Sequence, residues 1–186
     1  MAYVDHPVVK YITFDSTGSY LDNTHMCIVN VHFCDGSEVT WQNKYFEVYN
    51  VGQMGISITP DGTKIFAQTW KNGLYCFDIR TGEKLWRTKS RAGITDMHVN
   101  RNGTICAHKH YRALQLIDIE TGEVLKEKTP ARSWGFQILD ENRILCQTKA
   151  RLCEIIDPAT LDTIDSFHPF DLDHLHQYAK SIRHNC

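Results

Sequence analysis

The chain lacks the residue patterns that mark most catalysts. It has no CxxC pair, no HExxH, no glycine-rich phosphate loop, and no Cys or His set in a recognisable nucleophile signature. Zinc hydrolysis, P-loop nucleotide binding and the common thiol chemistries are therefore without their usual groups. The start, MAYVDHPVVKYITFD, has no basic stretch leading into an apolar core, so no secretory signal is expected. No window approaches the ~18 uninterrupted apolar residues of a membrane span. A charge excess is missing too: 20 Lys and Arg against 22 Asp and Glu leave −2. That balance gives nucleic acid or an anionic membrane little electrostatic hold. The seven cysteines (27, 34, 76, 106, 146, 153, 186) are odd in number. They are expected as free thiols in a reducing cytoplasm and not as a disulfide framework.

What is present is a repeat. Residues 71–90, KNGLYCFDIRTGEKLWRTKS, place an Asn-Gly turn before an apolar run and a Thr-Gly turn after it. Both turns suit antiparallel strands because their residues accept positive φ. ALQLIDIETGEVLKEK at 113–128 repeats the pattern, and LCEIIDPATLDTIDSF at 152–167 is a worn copy. Ile65, Ile105 and Ile144 each precede an Asp by thirteen residues, at Asp78, Asp118 and Asp157. An Asp at that place can accept hydrogen bonds from the amides of the turn that follows. Four short strands in a period of about forty residues describe a propeller blade.

The reading is a single all-β domain of about four blade-like, four-stranded antiparallel repeats, a small or partial β-propeller. A degenerate first repeat covers 8–50, with copies at 51–90, 91–130 and 131–170. Within the first, Lys44 to Val51 is apolar enough for a strand. Leu172, Leu175, Ala179 and Ile182 fall at helical spacing, so 171–186 is expected as a short C-terminal helix. The repeats would close as a small ring, stay open, or be sealed by a homodimer.

Cys76-Phe77-Asp78-Ile79-Arg80-Thr81-Gly82-Glu83-Lys84-Leu85-Trp86 resembles the repeat of pyrroloquinoline-quinone-type propellers, small-x-Asp-x-x-Thr-Gly-x-x-x-Trp, with Cys76 where Ala is usual. The third repeat keeps Asp118, Thr121 and Gly122 but has Lys126 for the Trp. The fourth keeps Asp157 and Thr160, has Leu161 for the Gly, and has Ile164 near the Trp position. WD40 and other quinoprotein-like propellers share this broad pattern. The resemblance implies the fold. The enzymes of that family carry about eight blades, a calcium site and often adjacent cysteines. This chain has no Cys-Cys pair, so no cofactor and no catalytic residue carry over, and a non-enzyme is expected.

Propeller faces are built from loops of successive blades and suit protein partners. Trp70, Lys71, Tyr111, Arg112, Arg132 and Trp134 lie at or near predicted turns, and aromatic and Arg residues are the usual interface anchors. Trp41 and Trp134 fit an inter-blade core equally well. Lys84, Arg87, Lys89 and Arg91 cluster in sequence around Trp86, and Arg132, Lys149 and Arg151 are expected near them on the adjoining blades. Such a surface suits single-stranded nucleic acid, but the balanced charge favours an acidic protein. His168, His174, His176, His184 and Cys186 are the metal-ligating types near the C-terminus. On a helix His174 and His176 project ~200° apart, so a solvated polar tail accounts for them as well. His108 and His110 are expected as exposed sheet residues. The expected function is a non-enzymatic protein-binding module, of the scaffolding or bacterial immunity kind, with another protein as partner. A small-molecule or metal sensor using the central opening or the His-rich tail is the alternative.

Overall fold

The computed structural model describes residues 2–3, 6–17, 26–43, 56–69, 73–88, 94–109, 113–128, 136–147 and 152–168. The expected helix at 171–186 and the strand expected at Lys44 to Val51 lie outside them. The described strands form four sheets of four, each an antiparallel meander in chain order. The first sheet holds β1 (Ala2–Tyr3), β2 (Val9–Thr17), β3 (Met26–Phe33) and β4 (Glu38–Asn43). It therefore takes in two residues ahead of the 8–50 segment expected for it. The second holds β5 (Ile56–Ile58), β6 (Lys64–Thr69), β7 (Gly73–Asp78) and β8 (Lys84–Arg87). The third holds β9 (Ile94–Val99), β10 (Thr104–Lys109), β11 (Ala113–Asp118) and β12 (Val124–Lys128). The fourth holds β13 (Phe136–Asp140), β14 (Arg143–Gln147), β15 (Cys153–Ile156) and β16 (Thr163–Phe167).

Residue type accounts for these elements locally. In β3 burial alternates strictly, with Cys27, Val29, Val31 and Phe33 inside, as a period of two requires. The central strands β7 and β11 are buried on both faces, because each lies between two other sheets. The Asp of each repeat organises its turn as expected. Arg80 and Thr81 amides donate to Asp78 Oδ1 at 2.9 and 2.8 Å, and Glu120 and Thr121 amides to Asp118 Oδ1 at 3.0 and 2.8 Å. In the fourth sheet the Ala159 amide donates to Asp157 Oδ1 at 2.7 Å.

The core runs between sheets. Val29, Val31 and Trp41 pack with Ile65, Phe77 and Ile79 of the second sheet. Phe66, Cys76 and Trp86 pack with Ile105 and Ile117 of the third. Cys106, Leu114 and Leu116 pack with Ile144, Cys146 and Ile156 of the fourth. Among the described residues no core cluster joins the fourth sheet back to the first. The half-exposed face of β3 carries Met26, Ile28, Asn30 and His32, and polar contacts gather at one end of it: Tyr11 stacks on His32 at 4.0 Å, His32 pairs with Glu38 at 2.7 Å, and Thr40 donates to Asn30 at 2.8 Å.

Candidate interaction surface and the joints beneath it

The last strand of each sheet lies at its edge. In three sheets this strand carries a register shift at the same place. Cys76 faces Trp86 and Phe77 faces Lys84, which leaves Leu85 over. Leu116 faces Lys126 and Ile117 faces Val124, leaving Leu125. Ile155 faces Asp165 and Ile156 faces Thr163, leaving Ile164. A bulge of this kind re-aims side chains. In the second and third sheets it directs the following residue, Trp86 or Lys126, toward the neighbouring sheet, and in all three it leaves the extra residue outside. Leu85, Leu125 and Ile164 are consequently 43%, 56% and 54% exposed. Val124 beside Leu125 is exposed as well. Exposed charges flank them: Glu83, Lys84 and Arg87 on the second sheet, Glu123 and Lys126 on the third, and Asp162 on the fourth. The first sheet has no bulge between β3 and β4.

Beneath this surface the sheets are fastened by a recurring contact. Trp41 Nε1 donates to the Ile79 carbonyl at 3.0 Å, and Trp86 Nε1 donates to the Ile119 carbonyl at 3.1 Å. Each indole lies flat on a glycine of the next turn: a Cβ added at Gly82 would meet the Trp41 ring at 2.5 Å, and one at Gly122 the Trp86 ring at 2.5 Å. Glycine is needed there twice over, since both have φ near +70°. Lys64 reaches Glu120 across the second joint at 2.8 Å, and Arg80 covers the Phe33 ring across the first at 4.3 Å. At the third joint Lys126 stands for the Trp. Its Nζ donates to the Thr160 carbonyl and to Asp162, both at 2.8 Å. With no indole to accommodate, Leu161 replaces the glycine, buried at φ 61°.

Of the residues expected to bind a partner, Trp70, Lys71, Tyr111, Arg112, Arg132 and Trp134 all lie outside the described residues. So do His174, His176, His184 and Cys186, while His168 is exposed. Among the described residues no three His, Cys, Asp or Glu side chains converge as metal ligands. Trp41 belongs to the inter-sheet core. His108 corrects the sequence reading: it is only 1% exposed, with Nδ1 3.9 Å from Asp96 Oδ2. It shares a face with Cys106 on a strand that lies between two others, so alternation carries it inward. Lys84 and Arg87 are exposed, and the Arg87 guanidinium lies 5.9 Å from the centre of the Tyr75 ring.

The six described cysteines are free, and five are buried. Burial pushes the Cys27, Cys76 and Cys146 thiols up to about 12 and raises Cys106 and Cys153 as well. A thiol held protonated in this way packs and does not attack. A cavity of about 330 Å³ opens among the turns, lined by Pro60, His98, Asn100, Arg101, Glu141 and Asn142 among others. Burial lowers the His98 pKa, opposed by its bond to the Glu141 backbone. Arg101 and Glu141 pair across the rim.

Sequence reasoning passed over the exposed aliphatic positions. Their recurrence is visible, seven residues on from Asp78, Asp118 and Asp157, but their exposure is not, because it follows from the bulge.

No family model matches the chain, and no curated protein does. Solved structures do. The chain is similar to BamB from Moraxella catarrhalis, with a TM-score of 0.56 at 16% identity over 85% of this chain and 52% of that one. A chain of a mitotic checkpoint complex matches with a TM-score of 0.55 at 12% identity, over 80% of this chain and 48% of that one. The computationally designed Ika8 protein matches with a TM-score of 0.50 at 13% identity, over 86% and 48%. The chain thus spans about half the length of these three structures. At these identities the likeness shows the fold: an all-β, propeller-like array of four-stranded sheets.

Proposed function

We propose that the chain is a protein-binding module. The observation that carries this reading is the recurrence of an exposed aliphatic side chain, Leu85, Leu125 and Ile164, at one position of three outer strands. Single exposed apolar residues are ordinary. Three at equivalent bulges, with charged neighbours, form a repeated apolar anchor with a polar rim, which is the composition of a protein interface. The partner is a protein that offers apolar side chains to successive blades, and the module serves as a scaffold or a neutralising binder without catalysing a reaction. The six described cysteines, all free thiols, suit a reducing compartment such as the cytoplasm. The turn cavity around His98 and Arg101 supports a second reading, a small-ligand sensor.

Affinity capture with quantitative mass spectrometry tests the first reading. The full chain and an L85E/L125E/I164E variant, matched by circular dichroism, serve as baits. A protein retained by the former and lost from the latter is the expected result. Equal capture by both baits refutes the assigned surface. No capture, together with thermal shifts from a metabolite panel, transfers the function to the cavity.

A further inference from the structure

We infer that the joint between the third and fourth sheets is an electrostatic latch that opens before the other two. At the first and second joints a buried indole is seated on a glycine and hydrogen-bonded to the next turn. Those contacts combine apolar burial with a directed bond, and salt screens neither of them strongly. At the third joint the corresponding contact is Lys126 to Asp162 and the Thr160 carbonyl, and both charged side chains are largely exposed. Lys128 adds a hydrogen bond to Thr163 Oγ1 and an approach of 3.5 Å to Glu154. Arg101 and Glu141 make a third ion pair between the same two sheets. The Lys126–Asp162 and Arg101–Glu141 pairs are exposed, so they contribute little and weaken as salt rises, whereas the half-buried Lys128–Glu154 approach is screened less. Opening uncovers an apolar face on each side, Leu114 and Leu116 on the third sheet and Ile144 and Ile156 on the fourth. The fold thus holds a covered apolar surface behind a charge-controlled contact.

Each joint contains its own reporter thiol. Cys27 lies in the first, Cys76 in the second, and Cys106 and Cys146 in the third, all buried and free. Alkylation of the native, reduced protein, read peptide by peptide by mass spectrometry, therefore measures the opening of each joint separately. Cys106 and Cys146 should label together and roughly tenfold or more faster than Cys76, a difference of about 1.4 kcal/mol in opening free energy. Raising KCl from about 0.05 M to about 1 M shortens the screening length several-fold. It should speed Cys106 and Cys146 severalfold, speed Cys76 by less because its joint carries the single Lys64–Glu120 pair beside the seated indole, and leave Cys27 no faster. In a K126M/K128M variant, which keeps the aliphatic stems, both thiols should label faster and most of the salt response should go. One common rate for all four thiols, or labelling of Cys76 ahead of Cys146, overturns the inference. So does a salt response at the third joint that the variant leaves intact. If the variant does not fold, the salt series on the wild-type chain decides alone.

Discussion

Raising the pH should unfold this protein at a value where most globular domains persist. Cys27, Cys76, Cys106 and Cys146 are all buried within the inter-sheet core. Burial raises each from the ordinary 9.0, to about 12 for Cys27, Cys76 and Cys146. The unfolded chain ionises its thiols above pH 9 and the folded chain does not, so the folded state binds the extra protons. The stability these groups provide is complete below pH 9 and is lost as the pH rises toward their folded values. Linkage sets the slope at about 1.4 kcal/mol per pH unit for each thiol. At pH 10 the four together remove about 5–6 kcal/mol, which matches the whole stability of many domains at 5–15 kcal/mol. Urea unfolding followed by tryptophan fluorescence, in reductant, gives the free energy at intervals from pH 7.5 to about 10. Replacing Cys106 and Cys146 by Ala lowers stability at neutral pH through the lost packing, but should reduce the alkaline slope by about half. A stability curve flat to pH 10, or a slope unchanged in that double variant, refutes the reasoning.

Two further outcomes follow from the turns. Gly122→Ala combines a φ of +72° with a Cβ 2.5 Å from the Trp86 ring, so it should cost about 2–4 kcal/mol in urea unfolding. A loss below about 1 kcal/mol means that the indole is not seated as described. In acid, burial works against ionisation of Asp78, but the Thr81 and Arg80 bonds hold its carboxyl below 3.8; at Asp118 the Thr121 amide and hydroxyl do the same. Their stabilisation is present above about pH 4 and is lost as the pH falls through their folded values. His98, lowered by burial, adds a decline that begins below its ordinary 6.5. Urea midpoints from pH 7 to 3 should therefore fall in two stages, and Asp118→Asn should make the lower one shallower, the other lowered carboxylates supplying the rest. An unchanged lower stage excludes this source.

How much of this was legible beforehand depended on whether a residue acts within its own repeat. The runs Met26–Phe33, Lys64–Thr69, Ile94–Val99 and Thr104–Lys109 are strands with the bounds their residues imply. Alternation and flanking turns are local, so the sequence displays them. Asp78 and Asp118 were equally readable, because the amides they accept lie two and three residues on. His108 was not. Two histidines spaced for one face of a strand identify that face without saying which neighbour covers it. The bulges at Leu85, Leu125 and Ile164 were hidden for a related reason: strand pairing is a property of two segments, and a single skipped residue reverses which side chain points out.

The worn repeats acquire a physical meaning once the joints are compared. Considered alone, Lys126 is a lost Trp and Leu161 is a lost Gly, two independent decays of one motif. In the structure they face each other across one joint, as Trp86 and Gly122 do across the one before it. An indole resting on the turn makes glycine obligatory there, whereas the positive φ alone only favours it. Remove the indole and the position can take a buried leucine at φ 61°, at the cost of about 1–2 kcal/mol of backbone strain offset by the apolar area it covers. The two changes are thus one change in how neighbouring sheets are fastened, from apolar seating to ion pairing. That change falls at a single joint, which is why opening should begin there and not be shared along the array.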